Sequence, residues 1–369
     1  MKKQVIAGML SLALMFSALF SLSGCGTSAQ AADLMAGVKA NTLSTDVDLT
    51  DGNNATAVAD FAVKLFQNSA GEENALISPL SVLCALAMTA NGAKGETLLQ
   101  MEGVFGLNIS ELNDYLHAYL EYLPSGDKYK VSVADSIWFR DDDKLTIEQS
   151  FLQTNADYYG ASVYKAPFDD STLKDINAWV SENTDGMIEN ILDKIPDAAV
   201  MYLINALAFD AEWETIYKET QVRDGTFTKE SGETRDVEMM YCSEHQYLDD
   251  GSATGFLKYY ADRKYAFAAL LPNEGVSVTD YVASLTGEGL MSTLQTAQDV
   301  EVKTSIPKFE SEYSIEMSDI LKAMGITDAF DLSKADFAAL GQSADGNIFI
   351  SRVLHKTYIA VDEKGTKAG

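Results

Sequence analysis

The stretch Met201-Tyr-Leu-Ile-Asn-Ala-Leu-Ala-Phe209 is apolar at nearly every position and is interrupted by the amide side chain of Asn205. A nearly continuous apolar run of this kind is typical of a strand that is buried on both faces or lies deep in a sheet. We therefore expect residues 201–209 to form a central strand, with the other elements packed around it.

Further strands and helices are predicted on both sides of this run. Residues 131–139 alternate between apolar and polar side chains with the period of a strand. The other predicted strands are 265–271, 300–307 and 357–361. The predicted helices are 57–66, with apolar residues at helical spacing, 78–91, with Ser78 as N-cap and Pro79 at the first helical position, 112–123, 150–159 and 176–184. Because helices and strands mix without a regular βαβ alternation, the sequence predicts an α+β fold.

Composition limits the classes of partner. The chain has 369 residues, of which 47% are hydrophobic, and its formal net charge is −28. A surface this acidic repels phosphate backbones, so we expect no nucleic-acid partner. After residue 57 no Pro/Gly-rich linker divides the chain, which favours one compact domain over 57–369 and a monomer.

The first residues have the pattern of an export signal. Lys2 and Lys3 precede an apolar stretch that ends in Leu-Ser-Gly-Cys at 22–25. A positive start, an apolar middle and small residues at the end define a secretory signal peptide, here 1–24. The alternative, a retained transmembrane anchor, would lack stop-transfer charges. The last four residues resemble a bacterial lipobox, which implies lipidation of Cys25, a polar tether over 25–56 and an exported protein attached to the membrane or cell surface.

No enzyme or metal site emerges from the residues. The histidines are His117, His245 and His355, more than a hundred residues apart, and neither a G-x-S-x-G elbow nor a phosphate-binding loop occurs. The remaining cysteines, Cys84 and Cys242, lack metal-ligand spacing; a disulfide between them stays open, although two thiols are the expectation. The sequence therefore predicts no cofactor, no metal and no catalytic activity.

Several segments, in chain order, resemble those of one known family. They are 74–81 (NALISPLS), 177–188 (NAWVSENTDGMI), 203–213 (LINALAFDAEW), parts of 227–240, 306–309 (IPKF), 321–330 (LKAMGITDAF), 335–337 (ADF) and 351–365 (SRVLHKTYIAVDEKG). Each match is weak alone, but the ordered set from about residue 57 to the last residue is similar to the serpin family of protease inhibitors. The resemblance implies helices packed around three β-sheets, with a large central sheet A.

The resemblance also implies a mechanism. In this family the strand around His355 leads into the hinge of a reactive-centre loop, which a serine or cysteine protease cleaves. The protease is trapped as an acyl-enzyme while the cut loop inserts into the main sheet as an extra strand. The hinge residues implied here are Glu363, Lys364, Gly365, Thr366, Lys367, Ala368 and Gly369.

Residue types at the hinge can be tested against this mechanism. An inserted strand buries every second side chain, and those side chains must be small. Thr366 and Ala368 share one parity and are small, whereas Lys367 has the opposite parity and could stay in water. Gly365 suits a pivot because glycine tolerates unusual backbone angles.

Two further clusters follow from the resemblance. Positions of the family's shutter, a polar group beneath the central strands, correspond to Ser78, Ser81, Asn205 and His355. Positions of its breach, where the loop first inserts, correspond to Trp213 and Lys308, and Lys308 is expected to pair with Glu363. An ion pair there would be weak and would mainly position the hinge.

The chain departs from the family pattern in its last residues. It ends at Gly369, inside the implied hinge, so the reactive bond and the family's C-terminal strands are not present in this sequence, and we expect a fragment or a truncation. Lys367 and Gly369 replace the Glu and Ala common in inhibitory members. The alternatives are a non-inhibitory serpin that binds or carries a ligand and, more remotely, a lipoprotein hydrolase whose nucleophile–base pair is not evident.

Overall fold

The computed structural model describes residues 31–43, 47–49, 52–71, 73–123, 125–196, 199–344 and 346–369. The predicted signal peptide and Cys25 lie outside these residues. The helices are α1 (Gly52–Ser69), α2 (Pro79–Ala90), α3 (Gly95–Phe105), α4 (Ile109–Tyr122), α5 (Gln149–Tyr159), α6 (Asp170–Asn183), α7 (Val278–Ser284), α8 (Gly287–Gln295) and α9 (Ser318–Met324).

The strands alternate irregularly with these helices, as an α+β chain requires. They are β1 (Ala32–Asp33), β2 (Tyr129–Arg140), β3 (Leu145–Ile147), β4 (Ser162–Ala166), β5 (Met201–Glu212), β6 (Val222–Thr228), β7 (Thr234–Asp249), β8 (Ala253–Tyr259), β9 (Ala266–Pro272), β10 (Gln298–Pro307), β11 (Phe309–Glu316), β12 (Gly341–Ser343), β13 (Arg352–Val361) and β14 (Gly365–Ala368). The described strands thus reach Ala368, and the expectation of further strands beyond Gly369 stays a prediction.

A seven-stranded mixed sheet, sheet A, organises the molecule, with strand order β1-β4-β2-β5-β14-β13-β11. Within the described residues, a second sheet has the order β10-β7-β8-β9 with β6 paired to β7, and β12 and β3 form a small third sheet. A large sheet with further sheets and surrounding helices is the arrangement that the resemblance implied.

The central strand β5 is buried on both faces, which confirms the prediction made from its apolar run. Leu203 packs into a core formed with α2, while Tyr202 and Ile204 pack into a separate core on the opposite face with residues of α6. Helix α2 is accordingly buried around most of its circumference.

Two elements begin earlier than predicted, one because of a side-chain hydrogen bond and the other because of strand pairing. Helix α6 begins six residues before the predicted start at 176 because the Asp169 side chain accepts hydrogen bonds from the backbone N–H groups of Ser171 and Thr172. Strand β13 begins at Arg352 rather than at 357 because Arg352 and Val353 pair with β5 and residues 354–361 pair with β11. The elements that were not predicted are strands β1, β3, β4, β6, β7, β8, β11 and β12 and helices α3, α7, α8 and α9.

Part of the predicted polar tether lies against the domain. Strand β1 pairs with β4, the outer strand of the sheet, and places Ala32 opposite Lys165. Leu34 and Met35 pack against the main core, and Asn41 donates from its backbone and side chain to Asp157. Because the edge of β4 offers unpaired backbone groups, an adjacent segment with apolar side chains is held there. Among the described residues, no helix combines the length and apolar character needed to cross a membrane.

Candidate functional site

The boundary between β5 and β13, which we call the central seam, changes along its length. At one end β14 lies between the two strands and pairs with both, so that Thr366 is opposite Ala211 on one side and Val361 on the other. At the other end β13 pairs directly with β5, with Arg352 opposite Tyr202. We call the end of the sheet where β14 lies between β5 and β13 the upper end, and the end where β13 pairs directly with β5 the lower end.

A cavity of about 60 Å³ lies between these two ends. It borders the end of β14, at Ala368 and Gly369. The residues that the resemblance assigned to the shutter all line it, namely Ser78, Ser81, Asn205 and His355. A strand continuing beyond Gly369 along the central seam would pass this cavity.

The implied hinge begins with a tight turn. The Asp362 carboxylate accepts hydrogen bonds from the backbone N–H groups of Lys364, at 2.7 Å, and Gly365, at 3.0 Å. The carbonyl oxygen of Lys364 accepts from the backbone N–H of Trp213 at 2.8 Å. That of Glu363 accepts from the backbone N–H of Tyr217 at 3.0 Å. These bonds fix the corner from which β14 turns back into the sheet.

Side chains in β14 alternate between core and solvent. Thr366 is buried and its hydroxyl accepts a hydrogen bond of 2.6 Å from the Tyr260 hydroxyl. Lys367 points to solvent, 3.4 Å from the Asp210 carboxylate. The geometry therefore has the parity expected for an inserted strand.

Gly365 is required for a different reason from the one expected. Its backbone does not adopt a positive φ, so freedom of the backbone angles is not what selects glycine. A Cβ atom at this position would lie 2.0 Å from the carbonyl oxygen of Ala211, which no side chain tolerates. Gly365 is thus needed for close approach to β5.

The predicted breach residues meet at the same corner. Trp213 is buried, donates its indole N–H to the carbonyl oxygen of Asp362 at 2.9 Å, and stacks on Tyr260 with ring centroids 4.4 Å apart. The Lys308 ammonium lies 2.8 Å from the Glu363 carboxylate. Their hydrogen bond and opposite charges raise the pKa of Lys308 and lower the pKa of Glu363.

Three of the shutter residues form a short hydrogen-bonded chain. The backbone N–H of Ser78 donates to His355 Nε2 at 2.9 Å, and the hydroxyls of Ser78 and Ser81 lie 2.7 Å apart. Nε2 of His355 must be unprotonated to accept this bond. Burial agrees with this, since it lowers the pKa of His355 to about 4.

Asn205 has a different partner, which the sequence analysis missed. Its side-chain amide donates to the carboxylate of Asp135 on β2, which is 4% exposed. Burial raises the pKa of Asp135 to about 7, although the bond from Asn205 acts in the opposite direction. The sequence could have indicated such a partner. Asp135 shares its strand face with Val133 and Ile137, and a carboxylate on an apolar face needs a hydrogen-bond partner.

Cys84 and Cys242 are both free thiols, as expected. Cys84 is fully buried in α2, and burial raises the pKa of its thiol. Cys242 lies 3.1 Å from the Thr304 hydroxyl in the second sheet. Over the described part of the chain, histidine, cysteine and carboxylate side chains form no group of three or more that could hold a metal ion.

The fold is thus a large mixed sheet in which the short strand β14 lies between β5 and β13 at one end of the central seam. The family model described as "Serpin (serine protease inhibitor)" matches residues 56–369. Human Serpin B9 is 30% identical over 333 residues, which cover 85% of this chain and 86% of that protein. The chain belongs to the serpin family.

Solved structures agree with this assignment. The thermophilic serpin tengpin in its native state is 48% identical, with a TM-score of 0.88 over 92% of this chain and 88% of that one. Tengpin in its latent state matches with a TM-score of 0.83 over 88% of this chain and 89% of that one. One related sequence has therefore been observed in two conformational states.

Proposed function

We propose that this protein, in its full-length form, is an extracellular protease inhibitor that acts by inserting its cleaved reactive loop into sheet A. The observation that carries the proposal is β14 itself. It already lies between β5 and β13 at the upper end of the central seam, above the polar cavity. Residues 363–369 are then the hinge, and the loop beyond Gly369 carries the bond that the protease cuts.

The driving force would come from extending β14 downward. Each further residue adds ladder hydrogen bonds and apolar burial. At about 0.5–1.5 kcal/mol net per bond, a loop of a dozen residues gains on the order of 10 kcal/mol. The uncut protein is then metastable, and a barrier rather than an equilibrium preserves it. The two states of tengpin are consistent with a fold that has an alternative of this kind.

The partner would be a serine or cysteine protease, because these form the acyl-enzyme that insertion traps. In this mechanism the protease performs the covalent chemistry. Trp213, Lys308 and Glu363 would hold the hinge at the upper corner, and the shutter residues would exchange partners as the strands separate.

The proposed location is the outside of a bacterial membrane, with a lipid on Cys25 and the serpin domain over 57–369. The predicted leader and the Leu-Ser-Gly-Cys ending at 22–25 support this. Metabolic labelling with a fatty-acid probe should mark the protein, whereas the Cys25→Ala variant should stay unlabelled. An unlabelled parent protein would remove the anchor from the proposal without affecting the inhibitor assignment.

The inhibitor proposal is tested on the protein encoded by the complete reading frame. Incubation with a panel of serine and cysteine proteases should give a complex that resists SDS. Loop cleavage without complex formation should raise the melting temperature markedly. If proteases cut the loop and neither effect appears, the inhibitory mechanism is wrong and the non-inhibitory binding or carrier role takes its place.

The carrier alternative is distinguished by the hinge. A serpin that need not insert its loop can have bulky or charged residues at the inward positions. Here the inward position 366 is a buried threonine, and 368 is an alanine. These residues favour the inhibitor.

A further inference from the structure

Asp135 and Asn205 form a buried polar pair beside the central seam. They lie directly opposite each other in the register of β2 and β5. Asp135 accepts a hydrogen bond from the Nδ2 group of Asn205. The pair therefore links the strand that borders the seam to its neighbour on the far side.

The other end of the Asn205 amide has no partner. Its Oδ1 atom is buried and finds no hydrogen-bond donor among the residues that the structure describes. Asn205 lines the small cavity together with Ser78, Ser81 and His355. A buried acceptor without a donor is unfavourable, so this orientation of the amide persists because the carboxylate of Asp135 can only accept.

A proton on Asp135 reverses this requirement. A protonated carboxyl group has an O–H that must donate, and the Oδ1 atom of Asn205, the present partner of Asp135, can accept it once the amide has rotated by half a turn. The rotation places the Nδ2 group toward the cavity. The hydroxyl oxygens of Ser78 and Ser81 at that cavity are potential acceptors.

We propose that protonation of Asp135 rotates the Asn205 amide by half a turn. The central seam is then lined by a hydrogen-bond donor, Nδ2 of Asn205, in place of an acceptor, Oδ1. Asp135 acts on the seam through Asn205 and is therefore a positioning residue. No atom of Asp135 needs to touch an inserting strand.

Three other groups around Asp135 whose pKa values are shifted, Cys84, Tyr159 and His355, do not change protonation near neutral pH. Burial raises the pKa of Asp135 itself to about 7. Burial, with a contribution from the charge of Asp135, raises the pKa of Cys84 on α2 and of Tyr159 on α5, so both stay protonated. His355 on β13, whose pKa is lowered to about 4, stays neutral.

Strand β2 also borders a second cavity, of about 540 Å³. Asp135 lines this cavity together with His117, Glu121, Asp157 and Tyr159. This cavity offers a path for the proton to reach Asp135 from solvent, since several of its lining residues are only partly buried.

The polarity change can be followed directly by NMR. In protein labelled with ¹⁵N at asparagine, the side-chain NH₂ signals of Asn205, assigned by their loss in Asn205→Ser, should shift between pH 5 and pH 9 with a midpoint near 7. In Asp135→Asn, whose side chain stays neutral, this titration should disappear. The control Asp143→Asn, an exposed position after β2, should titrate like the parent.

Three results would overturn the inference. They are Asn205 signals that do not change between pH 5 and 9, signals that begin to change only at the acid end of this range, as a midpoint near 4 set by His355 would give, and an unaltered titration in Asp135→Asn. If Asp135→Asn does not fold, the midpoint in the parent protein and in Asp143→Asn still decides between Asp135 and His355.

An effect on loop insertion rests on the proposed function and is measured separately. In the full-length protein, the rate of insertion after loop cleavage should differ between pH 6 and pH 8, and Asp135→Asn should remove the difference. If no insertion occurs at any pH, the inhibitor proposal fails while the NMR result for Asn205 stands. If insertion occurs with the same pH dependence in Asp135→Asn, the control of insertion by Asp135 is wrong.

Discussion

Strand β5 has two very different sides. Toward β2 it pairs through eleven consecutive residues, from Tyr129 opposite Ala211 to Phe139 opposite Met201. Toward β13 it pairs through only two residues, with β14 occupying four more positions. Because ladder hydrogen bonds hold strands together, β5 is attached more firmly to β2 than to β13. Of the two boundaries of β5, the central seam is therefore the weaker one.

Blocking the seam at the hinge should have the largest effect. In the full-length protein, Thr366→Arg would force a charge into the buried position beside Tyr260, so we expect inhibition to fall by about tenfold or more. The assay is the yield of SDS-resistant complex with a responsive protease. The matched control is Lys367→Arg, one residue along and exposed, which should inhibit like the parent. Equal inhibition by both variants would contradict an inserting hinge.

Removing the aromatic support of the upper corner should come next. Trp213→Ala deletes a side chain that is 1% exposed and stacked on Tyr260, so the free energy of unfolding should fall by about 3–5 kcal/mol. Urea unfolding measures this. Ile216→Ala, at a position that is 53% exposed, should change the free energy of unfolding little. A small loss for Trp213→Ala would mean that the corner is not held by this residue.

The closed side of β5 should respond to pH through Asp135. Its pKa is higher in the folded protein, about 7, than the ordinary 3.8, so the folded state binds the proton more tightly. The stabilisation is complete below about pH 4 and is lost as the pH rises through 7, on the order of 4 kcal/mol in total. Unfolding of the parent and of Asp135→Asn across pH 5–9 should diverge accordingly.

The contribution of His355 to the free energy of unfolding changes with pH in the opposite direction and over an overlapping pH range. Its folded pKa, about 4, is below the ordinary 6.5, so its contribution is complete above pH 6.5 and is lost as the pH falls toward 4. Since His355 is present in both the parent and Asp135→Asn, its contribution cancels in the difference between their two curves. That difference should fall as the pH rises from 5 to about 7.5 and should stay constant above it, and a difference that does not change between pH 5 and 7.5 would contradict the assignment.

The ion pair at the hinge should give the smallest effect. Lys308 and Glu363 are 27% and 33% exposed, and exposed pairs contribute about 0–1 kcal/mol. Lys308→Met should therefore lower the free energy of unfolding slightly, and less so in high salt. The Lys322–Asp319 pair offers a control on α9, and Lys322→Met should behave similarly. A loss above 2 kcal/mol would assign Lys308 a larger structural role.

The sequence predicted the parts of this arrangement that depend on local pattern. The apolar run of β5, the Ser-Pro start of α2 and the alternating parity of β14 are properties of neighbouring residues, and all are present in the structure. The resemblance located the residues around the small cavity and the upper corner, although their roles remain proposals.

What the sequence could not predict depends on distant partners. The need for glycine at 365 arises from the carbonyl oxygen of Ala211, more than 150 residues away. The pairing of Asp135 with Asn205 depends on the register of β2 against β5, which no local pattern fixes. The docking of β1 on β4 likewise depends on an edge that only the folded sheet presents.

The position of β1 has a consequence for orientation. Ala32 lies opposite Lys165, near the end of β4, and this end of β4 is beside the end of β2 where Phe139 pairs with Met201. Ala32 therefore lies at the end of sheet A opposite the one where β14 begins. If the proposed lipid on Cys25 is present, it would hold this end of the sheet at the bilayer and leave the reactive loop at the far end, facing away from the membrane. Under the proposed insertion mechanism, a trapped protease would then be carried from the far end of the sheet to the end beside the cell surface.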